Sequence, residues 1–303
     1  MPFANFGQMV YSVRMRMFHR LSWAGALIGA SSFLLVSCAE RDGRARAPAD
    51  VFAAEGTIII GNFERERAER NGEFAARLST AMRNAELPEA LYVSLLEVST
   101  WNPAFTNDLQ TVLAGPLYLR VLVDPWTPLP AGYSPPDLVP LGAGSYRVSR
   151  AGMFLRHSAA MSLEEMARAA LADGVTLVAA SAYRSYDHQT QVHNHWVQVM
   201  GRAAAERVSA RPGHSQHQTG LALDFYPIHN DFALTPAGRW MADNAYRFGW
   251  SLSYPDNYEH ITGYSWESWH FRYLGRELAA FKYNYFGGIQ QFALRFLHEW
   301  ERL

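Results

Sequence analysis

The stretch from Gly213 to Asp224, taken with Glu267 to His270, constrains this chain more than any other part of it. His217 and Asp224 stand seven apart in His217-Gln218-Thr219-Gly220-Leu221-Ala222-Leu223-Asp224, and Glu267-Ser268-Trp269-His270 follows later. Two imidazoles, one short carboxylate and one further carboxylate are what a hydrolytic zinc site requires. Zinc takes histidine nitrogen and aspartate oxygen, and a catalytic site uses three protein ligands and leaves one position for water. That water becomes acidic enough to attack near neutral pH, and a carboxylate outside the coordination sphere carries protons. The residue types therefore assign one zinc ion to His217, Asp224 and His270, and the general base to Glu267.

Local geometry adds detail. A strand alternates its faces at every residue, so Glu267 and His270, three apart, would point opposite ways in a regular strand. Either a bulge intervenes or Glu267 lies in the preceding turn. Gly220 allows the chain to turn between His217 and Asp224, which need not share an element. Asp224 follows the apolar run Leu221-Ala222-Leu223, where an unpaired carboxylate is costly and a cation partner removes the difficulty.

The 303 residues, 49% of them hydrophobic, suffice for one domain of ordinary size and an added small module. A net charge of −1 gives no global field for nucleic acid. Basic residues are nearly all Arg, with Lys282 the single Lys, a bias ascribed to genomic base composition. Arg14, Arg16 and Arg20 precede an uncharged run from Leu21 to Val36. That run is short for a membrane span of about 20 apolar residues and suits a signal peptide. It ends Leu35-Val36-Ser37-Cys38, which resembles a bacterial lipobox, so Cys38 is expected to carry lipid and to anchor the protein outside the cytoplasm in a bacterial envelope. Cys38 is also the only Cys, which leaves the mature chain no disulfide and no thiol nucleophile. Residues 1–13 read as excess upstream sequence, with translation starting at Met15 or Met17.

The expected organisation is a signal peptide over 1–37, a tether over 38–50, a helical segment over 51–117, a catalytic domain over 118–285 and a C-terminal helix over 286–303. Helical spacing marks Phe63 to Leu87, then Pro88 to Gly115 with a break near Asn102-Pro103. This region is expected to pack on the catalytic domain. Six prolines between Pro125 and Pro140 indicate extended, turn-rich chain. Ser162 and Glu165 form a capping-box pattern that starts a helix running to Asp173. Strands are expected at Val175–Ala180, Leu221–Tyr226 and Trp266–Tyr273, and helices at Asp187–Ser209, from Thr235-Pro236 to near Gly249, and from Glu277 to Leu303 with an interruption at Gly287-Gly288. His188, His193 and His195 favour no single metal face and are read as solvated helix residues. Without regular βαβ alternation the class is α+β: a small antiparallel sheet with flanking helices carrying a single zinc site, preceded by a helical N-terminal segment.

His217-x-x-Gly220-x-Ala222-x-Asp224 followed by Glu267-x-x-His270 resembles the signature of the VanY-type D-alanyl-D-alanine carboxypeptidases, zinc peptidases of the bacterial wall. Ser181-Ala182-Tyr183-Arg184-Ser185 with Gln189, and Arg211-Pro212-Gly213-His214-Ser215-Gln216-His217, are similar to further segments of that family, as are Thr262-Gly263-Tyr264 and Trp269-His270-Phe271-Arg272-Tyr273. The likeness runs from about Leu122 to Gly275, and segments at Leu129-Pro130, Tyr133 and Asp137-Leu138-Val139 contribute to it. The resemblance implies an α+β fold, a transition-state contact at Arg184, substrate-pocket positions at Ser215 and Gln189, and no ligand role for His214 or His229. It implies removal of the terminal D-alanine from peptidoglycan stem peptides ending in D-Ala-D-Ala, by a protein expected to be monomeric.

Three other readings compete. The same zinc site serves a D,D-dipeptidase or a peptidoglycan endopeptidase, and pocket loops decide between them. A non-catalytic wall-binding lipoprotein is opposed by the presence of all four key residues. A serine hydrolase is opposed by His217 in the fifth position of Gly213-His214-Ser215-Gln216-His217, where the nucleophile elbow needs Gly.

Overall fold

The computed structural model describes residues 72–142 and 144–303. The expected signal peptide and tether, with Cys38 and the start of the first expected helical segment, lie outside the described residues. Within them, no helix is long and apolar enough to cross a membrane.

Four helices come first: α1 (72–84), α2 (Glu89–Trp101), α3 (Pro103–Ala114) and α4 (Leu117–Arg120). The break expected near Asn102-Pro103 is a cap. The Asn102 side chain accepts from the Ala104 N–H at 2.9 Å, and Pro103, which has no N–H to satisfy, takes the first helical position. Helix α3 buries Phe105, Leu109 and Val112, one face at helical spacing. These residues share a core with Leu78 and Met82 of α1 and with Phe281, Phe296 and Trp300 from the two last helices, α10 (Arg276–Tyr285) and α11 (Gln290–Arg302). The N-terminal helices therefore pack on the C-terminal ones, as expected of a packing module.

The rest of the described chain is built on a five-stranded sheet in the order β2-β4-β5-β7-β6, comprising β2 (Arg147–Val148), β4 (Val178–Ser181), β5 (Ala222–Phe225), β6 (Trp250–Leu252) and β7 (His270–Tyr273). Only β2 and β4 run parallel; the other pairs are antiparallel. A separate hairpin-like pair joins β1 (Leu138–Pro140) to β3 (Phe154–Arg156), so the proline-rich stretch ends in a short strand. The α+β reading holds.

Helix α5 (His157–Ala172) lies on the sheet and buries Ala159, Leu163, Met166, Ala167 and Ala170, the i, i+4, i+7, i+8, i+11 stripe of a core-facing helix. It corrects the expected helix start. Ser162 is not a cap but an interior residue, because the helix begins at His157. Its hydroxyl donates to the Phe248 carbonyl at 2.6 Å and accepts from the Trp250 indole at 3.0 Å. The expected helix over Asp187–Ser209 is two helices, α6 (Tyr186–Met200) and α7 (Arg202–Val208), broken at Gly201, whose φ of +80° a non-glycine residue rarely adopts. This break overturns the solvated reading of His193. Helix α7 turns back, and the buried His193 Nδ1 lies 3.0 Å from the Ser209 carbonyl. His188 and His195 are exposed as expected. Thr235 caps α8 (Pro236–Asn244) by accepting from the Gly238 N–H at 3.0 Å. The short helix α9 (Glu259–Thr262) precedes the loop that leads into β7.

Candidate metal centre and active site

Sheet register brings the site together. Asp224 on β5 pairs directly with His270 on β7, and on its other side with Ser181 on β4. Directly opposed residues have their Cβ atoms about 5 Å apart, so antiparallel pairing alone places the carboxylate beside one imidazole. The second imidazole arrives on a 3-10 turn, Gln216–Thr219. Ser215 Oγ accepts from the His217 N–H at 3.3 Å at the start of that turn, and Gly220 closes it in the left-handed region at φ +70°. A Cβ at Gly220 would lie 2.9 Å from Arg156 Cγ and 3.0 Å from Leu138 Cδ2. The turn that separates His217 from Asp224 thus requires glycine for both conformation and space.

His217 Nε2 lies 3.2 Å from Asp224 Oδ2, and His270 Nδ1 lies 2.9 Å from Asp224 Oδ1. One ligand atom from each of these three buried residues falls within 4.8 Å of the others. Each ring is aimed by its other nitrogen. His217 Nδ1 donates to the Ala182 carbonyl at 2.7 Å, and His270 Nε2 faces Gln216 Oε1 at 3.4 Å. Gln216 is itself held by the Ser253 hydroxyl, which donates to the same oxygen at 2.8 Å and accepts from Gln290 Nε2 at 3.2 Å. Such outer partners fix which nitrogen a metal meets.

Burial pushes the His217 imidazole down, toward the neutral form that ligates metal. Burial alone would raise the Asp224 carboxyl, but His217 and His270 outweigh it and hold it well below the usual carboxylate range. Its Oδ1 is buried and makes no hydrogen bond of good geometry, its nearest nitrogen being His270 Nδ1 at 2.9 Å. An ionised, under-donated carboxylate between two aimed imidazole nitrogens is a donor set that fits one divalent cation.

Glu267 resolves the spacing question: it sits in the turn before β7, not on the strand. Its Oε2 is 3.6 Å from His270 Nδ1, at the edge of the triad. The turn is pinned by Asn230, whose side chain accepts from the Ser268 N–H at 3.0 Å and donates to the Trp266 carbonyl at 3.1 Å. Burial and the Asp224 charge push the Glu267 carboxyl well above its ordinary range, and Arg184 draws it back only in part. Arg184 donates to Gln189 Oε1 at 2.8 Å and to Ser181 Oγ at 2.9 Å. Burial pulls its pKa down while Asp224 and Glu267 pull it up. Gln189 also donates to the Ala210 carbonyl at 2.6 Å, so its amide is engaged at both ends and orients Arg184.

All the expected site residues of the catalytic half, His217, Asp224, His270, Glu267, Arg184, Ser215 and Gln189, line one open cavity of about 620 Å³. His214 is bound elsewhere, with Nδ1 2.8 Å from the Asp124 carbonyl, and His229 is exposed beside Asp231. Sequence reasoning passed over Gln216 and Asn230. Gln216 lies inside the quoted Arg-Pro-Gly-His-Ser-Gln-His segment, next to a ligand, and that adjacency was its only signal. Asn230 had none.

A mostly antiparallel sheet with a His-Asp-His cluster and an adjacent carboxylate is an arrangement suited to metal-assisted hydrolysis. The family model for VanY, D-alanyl-D-alanine carboxypeptidase, matches residues 152–276. The chain is 38% identical over 187 residues to the putative carboxypeptidase YodJ of Bacillus subtilis (strain 168), across 58% of this chain and 68% of that one. It is 33% identical over 168 residues to a D-alanyl-D-alanine carboxypeptidase of Enterococcus faecalis, across 52% of this chain and 59% of that one. Among solved structures, the LdcB LD-carboxypeptidase is 36% identical with a TM-score of 0.51, covering 55% of this chain and 85% of that one. The chain belongs to the VanY-type D-alanyl-D-alanine carboxypeptidase family.

Proposed function

We propose that this protein is a zinc-dependent carboxypeptidase that removes the terminal D-alanine from peptidoglycan stem peptides ending in D-Ala-D-Ala, and that it acts outside the cytoplasm, lipid-anchored through Cys38. The observation that carries the reading is the convergence of His217 Nε2, Asp224 and His270 Nδ1 within 4.8 Å, with Glu267 3.6 Å from His270, in an open cavity. Those three residues would hold a zinc ion, which would supply Lewis-acid activation of water near neutral pH. Glu267 is the proton carrier: its carboxylate takes the proton of the attacking water and returns it to the leaving amine nitrogen. Arg184, held by Gln189 and Ser181, presents a fixed cation to the oxyanion that develops at the scissile carbonyl. Ser215, whose hydroxyl oxygen caps the His217 turn, keeps its own O–H free to donate into the cavity.

A second reading keeps the site and changes the bond. The solved LdcB neighbour is an LD-carboxypeptidase, which favours cleavage after an L-residue. Incubation with pentapeptide- and tetrapeptide-containing muropeptides, with products read by mass, separates the two. Loss of one alanine from the pentapeptide, abolished by a chelator and restored by zinc, supports the D,D reading. Loss from the tetrapeptide alone replaces it with the L,D reading, and no product from either removes both.

A further inference from the structure

The active-site cavity is lined by Gln189, Val192, Trp196 and Met200 of α6. These positions, at i, i+3, i+7 and i+11, form one face of the helix, so the cavity is a groove running along α6. Its far end is apolar, with Trp196 and Met200 partly exposed. Its near end is cationic. Arg184 is there, committed to Gln189 and Ser181, and so is Arg150, which also lines the cavity.

Arg150 is held in place by its backbone. It follows β2, whose parallel pairing with β4 continues through the Ser149 N–H, which donates to the Ala179 carbonyl at 2.8 Å. Ser149 Oγ reaches the Ala180 carbonyl at 3.4 Å. This sets Arg150 beside the segment that carries Ser181 and Arg184. Burial depresses Arg184 and His188, and the Arg150 charge adds to both effects, which places that charge near the start of α6. Yet the Arg150 guanidinium is exposed and has no hydrogen bond or ion pair among the described residues. The two carboxylates of the cavity, Asp224 and Glu267, serve the metal triad. A free, planar, five-donor cation at the mouth of a catalytic groove lacks only an anion, and a carboxylate fits it in bidentate fashion.

We infer that Arg150 is a substrate-specificity residue that binds a carboxylate of the peptide substrate. The inference rests on the carboxypeptidase reading. A peptide can bring that carboxylate at its C-terminus or on a side chain upstream of the scissile bond.

The test uses the zinc-loaded protein and three peptides ending in D-Ala-D-Ala. One has a glutamate before the pair, the second has glutamine there, and the third has glutamate with a C-terminal amide. Turnover and calorimetric binding are measured for the wild type, Arg150→Gln and Arg150→Lys. Arg150→Gln is expected to raise Kd and KM for the first peptide about 10-fold, the effect of one charge-assisted hydrogen bond, with kcat and zinc content retained. Arg150→Lys restores part of the loss. If the loss disappears with the glutamine peptide, the side chain is the ligand; if it disappears with the C-terminal amide, the terminus is. Equal Kd values for wild type and Arg150→Gln with all three peptides overturn the inference. Absence of turnover in the wild type removes the carboxypeptidase reading, and the binding comparison still decides the role of Arg150.

Discussion

Lys282 is the only lysine of the chain, lies on α10 with 6% of its surface exposed, and has no hydrogen-bond or ion-pair partner among the described residues. Burial alone draws its ammonium from 10.5 down to about 8. Near pH 7 the group is still charged in the folded protein, and the folded state carries the desolvation cost. At about 1.4 kcal/mol per pH unit, that depression amounts to roughly 3.5 kcal/mol. The sign follows from proton counts. Between pH 8 and 10.5 the unfolded chain holds the proton that the folded chain has released, so this group makes stability rise with pH across that window. Lys282→Met keeps the length and apolar stem of the side chain and removes the charge. The variant is expected to be more stable than wild type at pH 7 by about 3 kcal/mol, with the advantage shrinking through pH 8 to 10.5. Urea unfolding of both proteins at half-unit intervals from pH 6.5 to 10.5 measures it, since other titrations cancel in the difference. A difference that does not change with pH would refute the claim that Lys282 is a buried, uncompensated charge.

Four further outcomes concern the site. Glu267→Gln is expected to retain zinc and lose turnover by about 10²–10⁴-fold, whereas His217→Ala loses the zinc itself; metal analysis beside the muropeptide assay checks both. Gln216→Leu removes the acceptor facing His270 Nε2 and is expected to weaken zinc binding by about 10–100-fold, read by competition with a chromogenic chelator. Gly220→Ala forces a Cβ to within 2.9 Å of Arg156 Cγ at φ +70°. It is expected to cost about 2–4 kcal/mol from left-handed strain and overpacking and to weaken zinc binding, visible as a lower urea midpoint and a lower metal content.

Local chemistry was legible where a residue acts on its own neighbours. Thr235 caps the helix its pattern announced, and the break expected at Asn102-Pro103 is itself a cap, because a cap reaches only two or three residues along the chain. The same logic misread Ser162. Its spacing to Glu165 satisfies a capping box, but the hydroxyl is taken by Phe248 and Trp250, more than eighty residues away. His193 looked like a solvated helix residue because nothing within α6 shows that α7 folds back over it after Gly201.

The sequence by itself determined which three residues could hold a metal, since ligand chemistry belongs to side-chain type, and these stand with Glu267 in two short motifs. It also left two placements open for Glu267. The tertiary structure decided between them: Asn230 pins the turn, and the β5–β7 register sets Asp224 beside His270. It alone supplied Gln216 and Asn230 as supports and Arg150 at the groove mouth. The physical reason is range. Ligand identity is a property of single residues, whereas aim, burial and charge depend on contacts between segments that only the folded sheet brings together.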